Sequence, residues 1–164
     1  MTVTVRPARD DDGLALIDII GRCFALYPGC VLDVEDEMPE LIDGVATAFA
    51  RTDGALWVAA DPADDAVLGC CGWTPDAENP GAIELKKLYV DPDLQGRGLG
   101  RRLVEHILAD AAARGSACVL LWTDTRFTTA HRLYEKMGFV RAPQTRRLHD
   151  LSATVEYRYR WDRP

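Results

Sequence analysis

The run Leu88-Tyr89-Val90-Asp91-Pro92-Asp93-Leu94-Gln95-Gly96-Arg97-Gly98-Leu99-Gly100-Arg101-Arg102-Leu103 decides how this chain is read. Its apolar, aromatic and β-branched start predicts a strand, and Asp91-Pro92-Asp93 predicts a turn. Beyond it Leu99, Leu103, Val104, Ile107, Leu108 and Ala111 recur at helical spacing, and Gly115 stands where that helix should end. Between strand and helix lie Gly96, Gly98 and Gly100. Glycine lets the backbone approach a ligand closely, and a helix start carries free N–H groups and partial positive charge. The arrangement suits a phosphate or pyrophosphate.

Two phosphate loops are excluded by spacing. A P-loop requires Gly-Lys before Ser or Thr, and the chain has no Gly-Lys pair. The dinucleotide fingerprint requires Gly-x-Gly-x-x-Gly, but Arg101 follows Gly98 by three positions and Leu103 follows Gly100 by three. What matches is Gln-x-x-Gly-x-Gly, carried by Gln95, Gly98 and Gly100. Downstream, Ala117–Thr123 is an apolar run of the kind that forms a buried strand, and Ala130-His131-Arg132-Leu133-Tyr134-Glu135-Lys136-Met137-Gly138-Phe139 reads as a short helix closed by Gly138.

These two runs, in this order, resemble the two signatures of the GNAT family of N-acetyltransferases, the second being Ala-x-x-Leu-Tyr-Glu-x-x-Gly-Phe. The resemblance implies a mixed α/β GNAT fold over a single domain, residues 1–164, with a central, largely antiparallel twisted sheet of about seven strands flanked by about four helices. It implies acetyl-CoA as cosubstrate and no metal. Gln95, Gly96, Arg97, Gly98, Leu99, Gly100 and Arg101 would surround the pyrophosphate. Leu88, Tyr89 and Val90 would follow the pantetheine arm, with the Leu88 N–H on the thioester carbonyl and the Val90 N–H on pantetheine. Relatives often carry Asn seven residues before the signature tyrosine, where it contacts the coenzyme; this chain has Phe127, so either the polar loop Thr123-Asp124-Thr125-Arg126 replaces that contact or the contact is absent.

Composition agrees with one globular domain. At 164 residues the chain can bury roughly two-thirds of its unfolded surface. Net charge is −7, which argues against nucleic acid as a partner. No apolar run is long enough to span a membrane and the N-terminus lacks a signal-peptide core, so a cytoplasmic location is expected. Five cysteines lack Cys-x-x-Cys spacing and the three histidines are scattered, which predicts buried thiols and no metal site.

Along the chain, strands are predicted at 2–6, 55–60, 66–73, 82–90, 117–123, 139–142 and 154–161. Helices are predicted after Asp10-Asp11-Asp12, from 39 to 51, from 96 to 114 and from 127 to 137, with residues 25–36 as loop. In the 82–90 strand Ile83 and Leu85 share one parity while Leu88 and Val90 have the other. A β-bulge near Lys86-Lys87 repairs that switch; two lysines on an exposed strand are the alternative.

Acetyl transfer to an amine requires a neutral amine, a polarised carbonyl and a stabilised thiolate. Tyr134 is the candidate acid at sulfur, a role the resemblance supports. With reference pKa values of about 10 for tyrosine and 8.5 for a thiol, full proton transfer is uphill by around 2 kcal/mol, which favours hydrogen-bond donation. Glu84, eleven residues before Gln95, is the candidate base. Direct deprotonation of an alkylammonium by an unperturbed glutamate would cost roughly 8 kcal/mol, so Glu84 acts through water, orients the amine, or is a strand carboxylate paired with Lys86.

The acceptor wall is sought in Asp33, Glu35, Asp36, Glu37 and Glu40, five carboxylates that could recruit a cationic amine, with Glu37 and Glu40 read as helix-start acids, Asp33 and Asp36 left open, and Asp33 carried as a substrate-binding candidate beside Tyr27. Arg146-Arg147-Leu148-His149-Asp150 would favour a carboxylate-bearing acceptor if it faced the site. The expected reaction is direct attack by a primary amine of a small molecule in a ternary complex. The alternatives are acetylation of a protein N-terminus or lysine, or an acyl-CoA sensor without turnover. A homodimer is a further implication of the resemblance, although Tyr157, Tyr159 and Trp161 on one strand face also read as core.

Overall fold

The computed structural model describes residues 2–163. The elements are β1 (Thr4–Pro7), α1 (Gly13–Ala25), α2 (Val34–Glu37), α3 (Glu40–Asp43), α4 (Val45–Arg51), β2 (Ala55–Ala60), β3 (Val67–Pro75), β4 (Ala82–Val90), α5 (Leu99–Ala113), β5 (Cys118–Asp124), α6 (Thr128–Lys136), β6 (Val140–Arg147) and β7 (Val155–Asp162). All seven strands form one sheet in the order β1-β2-β3-β4-β5-β7-β6. Every neighbouring pair is antiparallel except β4 and β5.

Strand alternation builds a core on each face of the sheet. Leu56, Val58 and Cys70 point toward Leu16, Ile20 and Phe24 of α1, Leu41 of α3, and Val45 and Phe49 of α4. Ala59, Cys71, Trp73, Val119 and Leu121 point the other way, toward Leu99, Leu103, Val104 and Ile107 of α5 and Tyr134 of α6. The 3.6-residue period of α1 and α5 matches one buried stripe on each helix. Tyr159 is fully buried in the second core, with Tyr157 and Trp161 packed against it, so that aromatic stripe belongs to the interior.

Two expectations require correction. The predicted helix from 39 to 51 is two helices, because Gly44 takes φ +121° between α3 and α4. A residue there cannot continue a helix, and the break leaves the α4 N-terminus without a side-chain cap of its own. Asp10 supplies one from a distant turn, accepting from the Thr47 N–H at 2.8 Å and the Thr47 hydroxyl at 2.6 Å. The predicted loop from 25 to 36 also gains a helical turn, α2, which Asp33 caps by accepting from the Asp36 N–H. Six helices, three of them short, therefore replace about four.

The face-switching strand contains the expected irregularity. Cys70 pairs with Tyr89 and Gly72 with Lys86, so β3 advances two residues where β4 advances three. The extra residue is accommodated at Lys87, whose φ is +54°. A non-glycine residue in that region costs about 1–3 kcal/mol, and several contacts offset it. Lys87 Nζ lies 2.6 Å from Glu40 Oε1, and the Cys70 thiol donates to the Lys87 carbonyl at 3.0 Å. The Cys23 thiol donates to the Val90 carbonyl at 3.2 Å. Burial pushes the Cys70 thiol up to about 12 and Cys23 up to about 11, so both remain neutral donors.

At the N-terminal edge Arg6 grips Asp12 with two hydrogen bonds of 2.9 Å, and Asp12 also accepts from the Arg9 N–H at 2.7 Å. Burial would raise the Asp12 carboxyl, but the Arg6 contacts outweigh it and hold it below the usual range. Asp91, gripped by Arg22, is likewise held low. Groups with lowered folded pKa values contribute stability above their unfolded value, near 4, and lose it as pH falls through the folded one. Glu37 and Glu156, raised by burial, shift stability in the opposite sense at and above their unfolded values. The urea midpoint should therefore fall steadily as pH drops from about 4 to about 2. Asp12→Asn should flatten that decline and cost about 2 kcal/mol at neutral pH. An unchanged acid slope in the variant would rule out the Arg6–Asp12 contribution.

Candidate functional site

The site arises where two parallel strands part. β4 pairs with β5 only through Ala82–Cys118, Ile83–Val119 and Glu84–Leu120. Past Glu84 that pairing ends, while β5 stays on β7 along its other edge and β4 stays on β3, so a wedge opens through the sheet. The Asp91 N–H donates to the Leu68 carbonyl of β3. Because successive N–H groups alternate sides, those of Val90 and Leu88 face the wedge. Glu84 shares a sheet face with its pair Leu120. Tyr134 enters from α6, on the opposite face, and the wedge brings both side chains to one cavity.

Two cavities meet in the wedge and share Leu88, Tyr89, Phe127 and Ala130. The larger, about 420 Å³, runs from these residues along Val90 to Gln95, Gly96, Gly98, Leu99, Gly100 and Arg101. The loop glycines answer to different demands. Gly96 and Gly98 have φ of +78° and +81°, and a Cβ on either would meet nothing within 4 Å, so their requirement is backbone conformation beside open space. A Cβ on Gly100 would press to 3.2 Å from Leu133, so this glycine lets α5 close on α6. Leu99 lines the cavity and is also buried in the core. Arg97 is exposed and does not line the cavity. Arg102 donates to the Val3 carbonyl at 3.0 Å and so ties α5 to the chain start.

Arg132 and Lys136, one turn apart on α6, join Arg101 on the rim of the larger cavity. Sequence reading passed over them because they lie outside the glycine loop, although their i, i+4 spacing on the signature helix was visible. Phe127 packs between Phe24 and Tyr27, with ring centroids at 5.8 and 5.0 Å. An aromatic cluster therefore stands where a polar contact was sought. Asp124 does not supply that contact either, since Arg126 holds both its oxygens at 2.9 and 2.7 Å.

The smaller cavity, about 240 Å³, is lined by Glu37, Glu84, Asp124, Asp150 and Glu156, by Lys86, Lys87 and Arg146, and by Trp122 and Tyr134. Tyr134 is buried, and its hydroxyl has no hydrogen-bond partner among the described residues. Burial, reinforced by Cys71 and Tyr159, pushes its pKa well above that of free tyrosine. It is a proton-bearing donor at any physiological pH. Glu84 lies 3.7 Å from Lys86, the strand pairing anticipated from their spacing.

Three acceptor-side expectations change. Tyr27 lines the larger cavity, against Phe127, and not the smaller one. Asp33 caps α2 and lines neither cavity, whereas Glu37, read as a helix-start acid, lines the smaller one. Arg146 reaches the cavity already paired with Glu156 and lying over Trp122, while Arg147 and His149 do not line it. Asp150 belongs to the segment read as a wall candidate, whereas Glu156 and Trp122 were missed because they lie on separate strands and nothing local marks them.

A family model described as an acetyltransferase (GNAT) domain matches residues 52–141, more than half of the chain. The chain belongs to the GNAT family. Among curated relatives of this GNAT chain is a mycothiol acetyltransferase of Saccharopolyspora erythraea, 32% identical over 145 residues, covering 85% of this chain and 44% of that protein. Another is a ribosomal protein bS18-alanine N-acetyltransferase of Salmonella typhimurium, 46% identical over 57 residues, covering 34% of this chain and 37% of that one. The chain spans only 17% to 47% of the length of the curated relatives it matches. The GNAT fold is shared with an acetyltransferase of Staphylococcus aureus Mu50, with a TM-score of 0.81, 16% identity and coverage of 98% and 99%. It is shared too with yncA from Salmonella typhimurium, solved with acetyl-CoA, with a TM-score of 0.73, 17% identity and coverage of 99% and 94%. Among the described residues no helix is long and apolar enough to cross a membrane.

Proposed function

We propose that this protein transfers the acetyl group of acetyl-CoA to a primary amine of a small molecule, by direct attack in a ternary complex. One observation carries the reading: the β4–β5 wedge joins an anion-suited cavity to an acid-lined one at Leu88 and Tyr89. The larger cavity fits the coenzyme chemically. Gly96 and Gly98 leave room beside the loop, the start of α5 offers free N–H groups, and Arg101, Arg132 and Lys136 add positive charge at the rim.

In this reading the Leu88 N–H donates to the thioester carbonyl and polarises it, and the Val90 N–H holds the pantetheine arm. Tyr134 donates a hydrogen bond to the departing sulfur. Its raised pKa makes outright proton transfer still less favourable than the reference values suggest, so the hydroxyl works as a retained donor. Glu84 and Glu156 flank the acceptor cavity, where either orients the amine or passes its proton to water.

Saturating acetyl-CoA at about a hundred times its Kd should stabilise the protein by about 2.7 kcal/mol, raising Tm by roughly 5–11 °C. Thiol release across a panel of small amines then tests turnover. No thermal shift removes the coenzyme assignment. A shift without thiol release from any amine or peptide makes the protein a coenzyme-binding sensor. The relative named as a ribosomal-protein acetyltransferase keeps a protein acceptor as the second reading, and peptides turning over faster than every small amine would favour it.

A further inference from the structure

The charges around the acceptor cavity do not cancel evenly. Every cation lining it is already engaged: Lys86 with Glu84 at 3.7 Å, Lys87 with Glu40 at 2.6 Å, and Arg146 with Glu156. Asp124 is neutralised by Arg126. Two lining carboxylates, Glu37 and Asp150, have no ion-pair partner among the described residues. Asp150 accepts from the Thr154 N–H at 2.8 Å. One oxygen of Glu37, Oε1, is shut off from solvent and has no donor among the described residues. A carboxylate oxygen withdrawn from water without a donor is costly, and burial together with the neighbouring Asp150 raises the Glu37 carboxyl, whereas Asp150, although burial would raise it, is held low by Thr154 and the nearby Arg126.

The reacting nitrogen cannot be the group that satisfies them. It must be neutral when it attacks, and it attacks beside Leu88, where the two cavities join. Glu37 and Asp150 line the smaller cavity alone, away from that junction. Phe24, Met38, Leu148 and Trp122 supply apolar wall in the same cavity.

From this geometry we infer that the acceptor carries a second amine, cationic at neutral pH and not consumed in the reaction, joined to the reacting amine by an apolar spacer and held by Glu37 and Asp150. An alkyl diamine is the simplest such molecule. The inference rests on the acetyltransferase reading and reverses the earlier expectation of a carboxylate-bearing acceptor, since Arg146 is spent on Glu156.

The test measures kcat/KM by thiol release for three matched series at several chain lengths: α,ω-diaminoalkanes, alkyl monoamines and ω-amino carboxylates. At the best length the diamine should exceed the monoamine by about tenfold or more, a charge-assisted contact of ordinary strength. The amino carboxylate should fall below the monoamine. In Glu37→Gln the diamine-to-monoamine ratio should drop to about one. Equal rates for diamine and monoamine, preference for the carboxylate, or an unchanged ratio in the variant would each overturn the inference. So would an acetyl-CoA thermal shift with no turnover of any diamine, which leaves the coenzyme assignment standing. Absence of the thermal shift defeats the parent reading itself.

Discussion

Tyr134→Phe should lower kcat about a hundredfold while leaving the acetyl-CoA thermal shift and Tm nearly unchanged. The ring of Tyr134 is packed against Phe139 and Tyr159, with centroids at 5.6 and 5.9 Å, and phenylalanine keeps that packing. What the substitution removes is one hydroxyl with no hydrogen-bond partner among the described residues, so folding loses little. If that hydroxyl meets sulfur as the C–S bond breaks, its contact strengthens with the charge on the leaving thiolate, and the loss falls on kcat rather than on coenzyme binding. The pH profile separates donor from transferred acid. With the tyrosine pKa pushed far up by burial, no basic limb from its ionisation should appear below about pH 10. A variant with undiminished kcat would show that Tyr134 only packs the helix, and a loss confined to coenzyme affinity would place it on the binding side.

Much of the larger cavity was legible because its information is local. Alternation in β4 switches parity within nine residues, and the structure places the extra residue at Lys87. Gly96 and Gly98 announce positive φ, and the stripe from Leu99 to Ala111 fixes the helix that follows. Even there, residue type could not tell contact from support. Leu99 faces the core, Gly100 serves helix packing, and Arg102 serves the chain start.

The smaller cavity was not legible, because its residues converge from far apart in the chain. Glu37 ends a one-turn helix where it was read as an acid before the next one, Trp122 comes from β5, and Asp150 and Glu156 from the β6–β7 hairpin. The hairpin is fastened to the segment after α1 by Ser152, which donates to the Val31 carbonyl at 3.0 Å and accepts from its N–H at 2.8 Å. That contact spans the two halves of the chain. A run of acids between two helices could not show that Glu40 would neutralise a bulge lysine while Glu37 would stay unpaired.

Those acceptor-side helices depend on one close approach, and Gly13→Ala should destabilise the protein by about 3 kcal/mol, lowering Tm by roughly 6–12 °C. Helix propensity alone predicts the opposite sign, since alanine is favoured over glycine within a helix by about 1 kcal/mol. Gly13 has φ of −53°, so its conformation makes no demand for glycine. The demand is steric: a Cβ there would lie 2.0 Å from the Leu41 carbonyl oxygen and 3.1 Å from its carbon. These are backbone atoms of α3, and Leu41 itself is buried, so no side chain can swing away. The start of α1 and the body of α3 must separate by more than 1 Å, disturbing the packing of Leu41 with Leu16 and Ile20. Gly21 provides the control within the same helix. Its nearest neighbour would be Leu32 Cδ2 at 3.9 Å, an ordinary contact, and Gly21→Ala should stabilise by up to about 1 kcal/mol. Thermal unfolding of the two variants side by side decides the matter. If both shift Tm upward, α1 and α3 are not in the close contact described, and the placement of Glu37 and Glu40 beside the wedge loses its foundation.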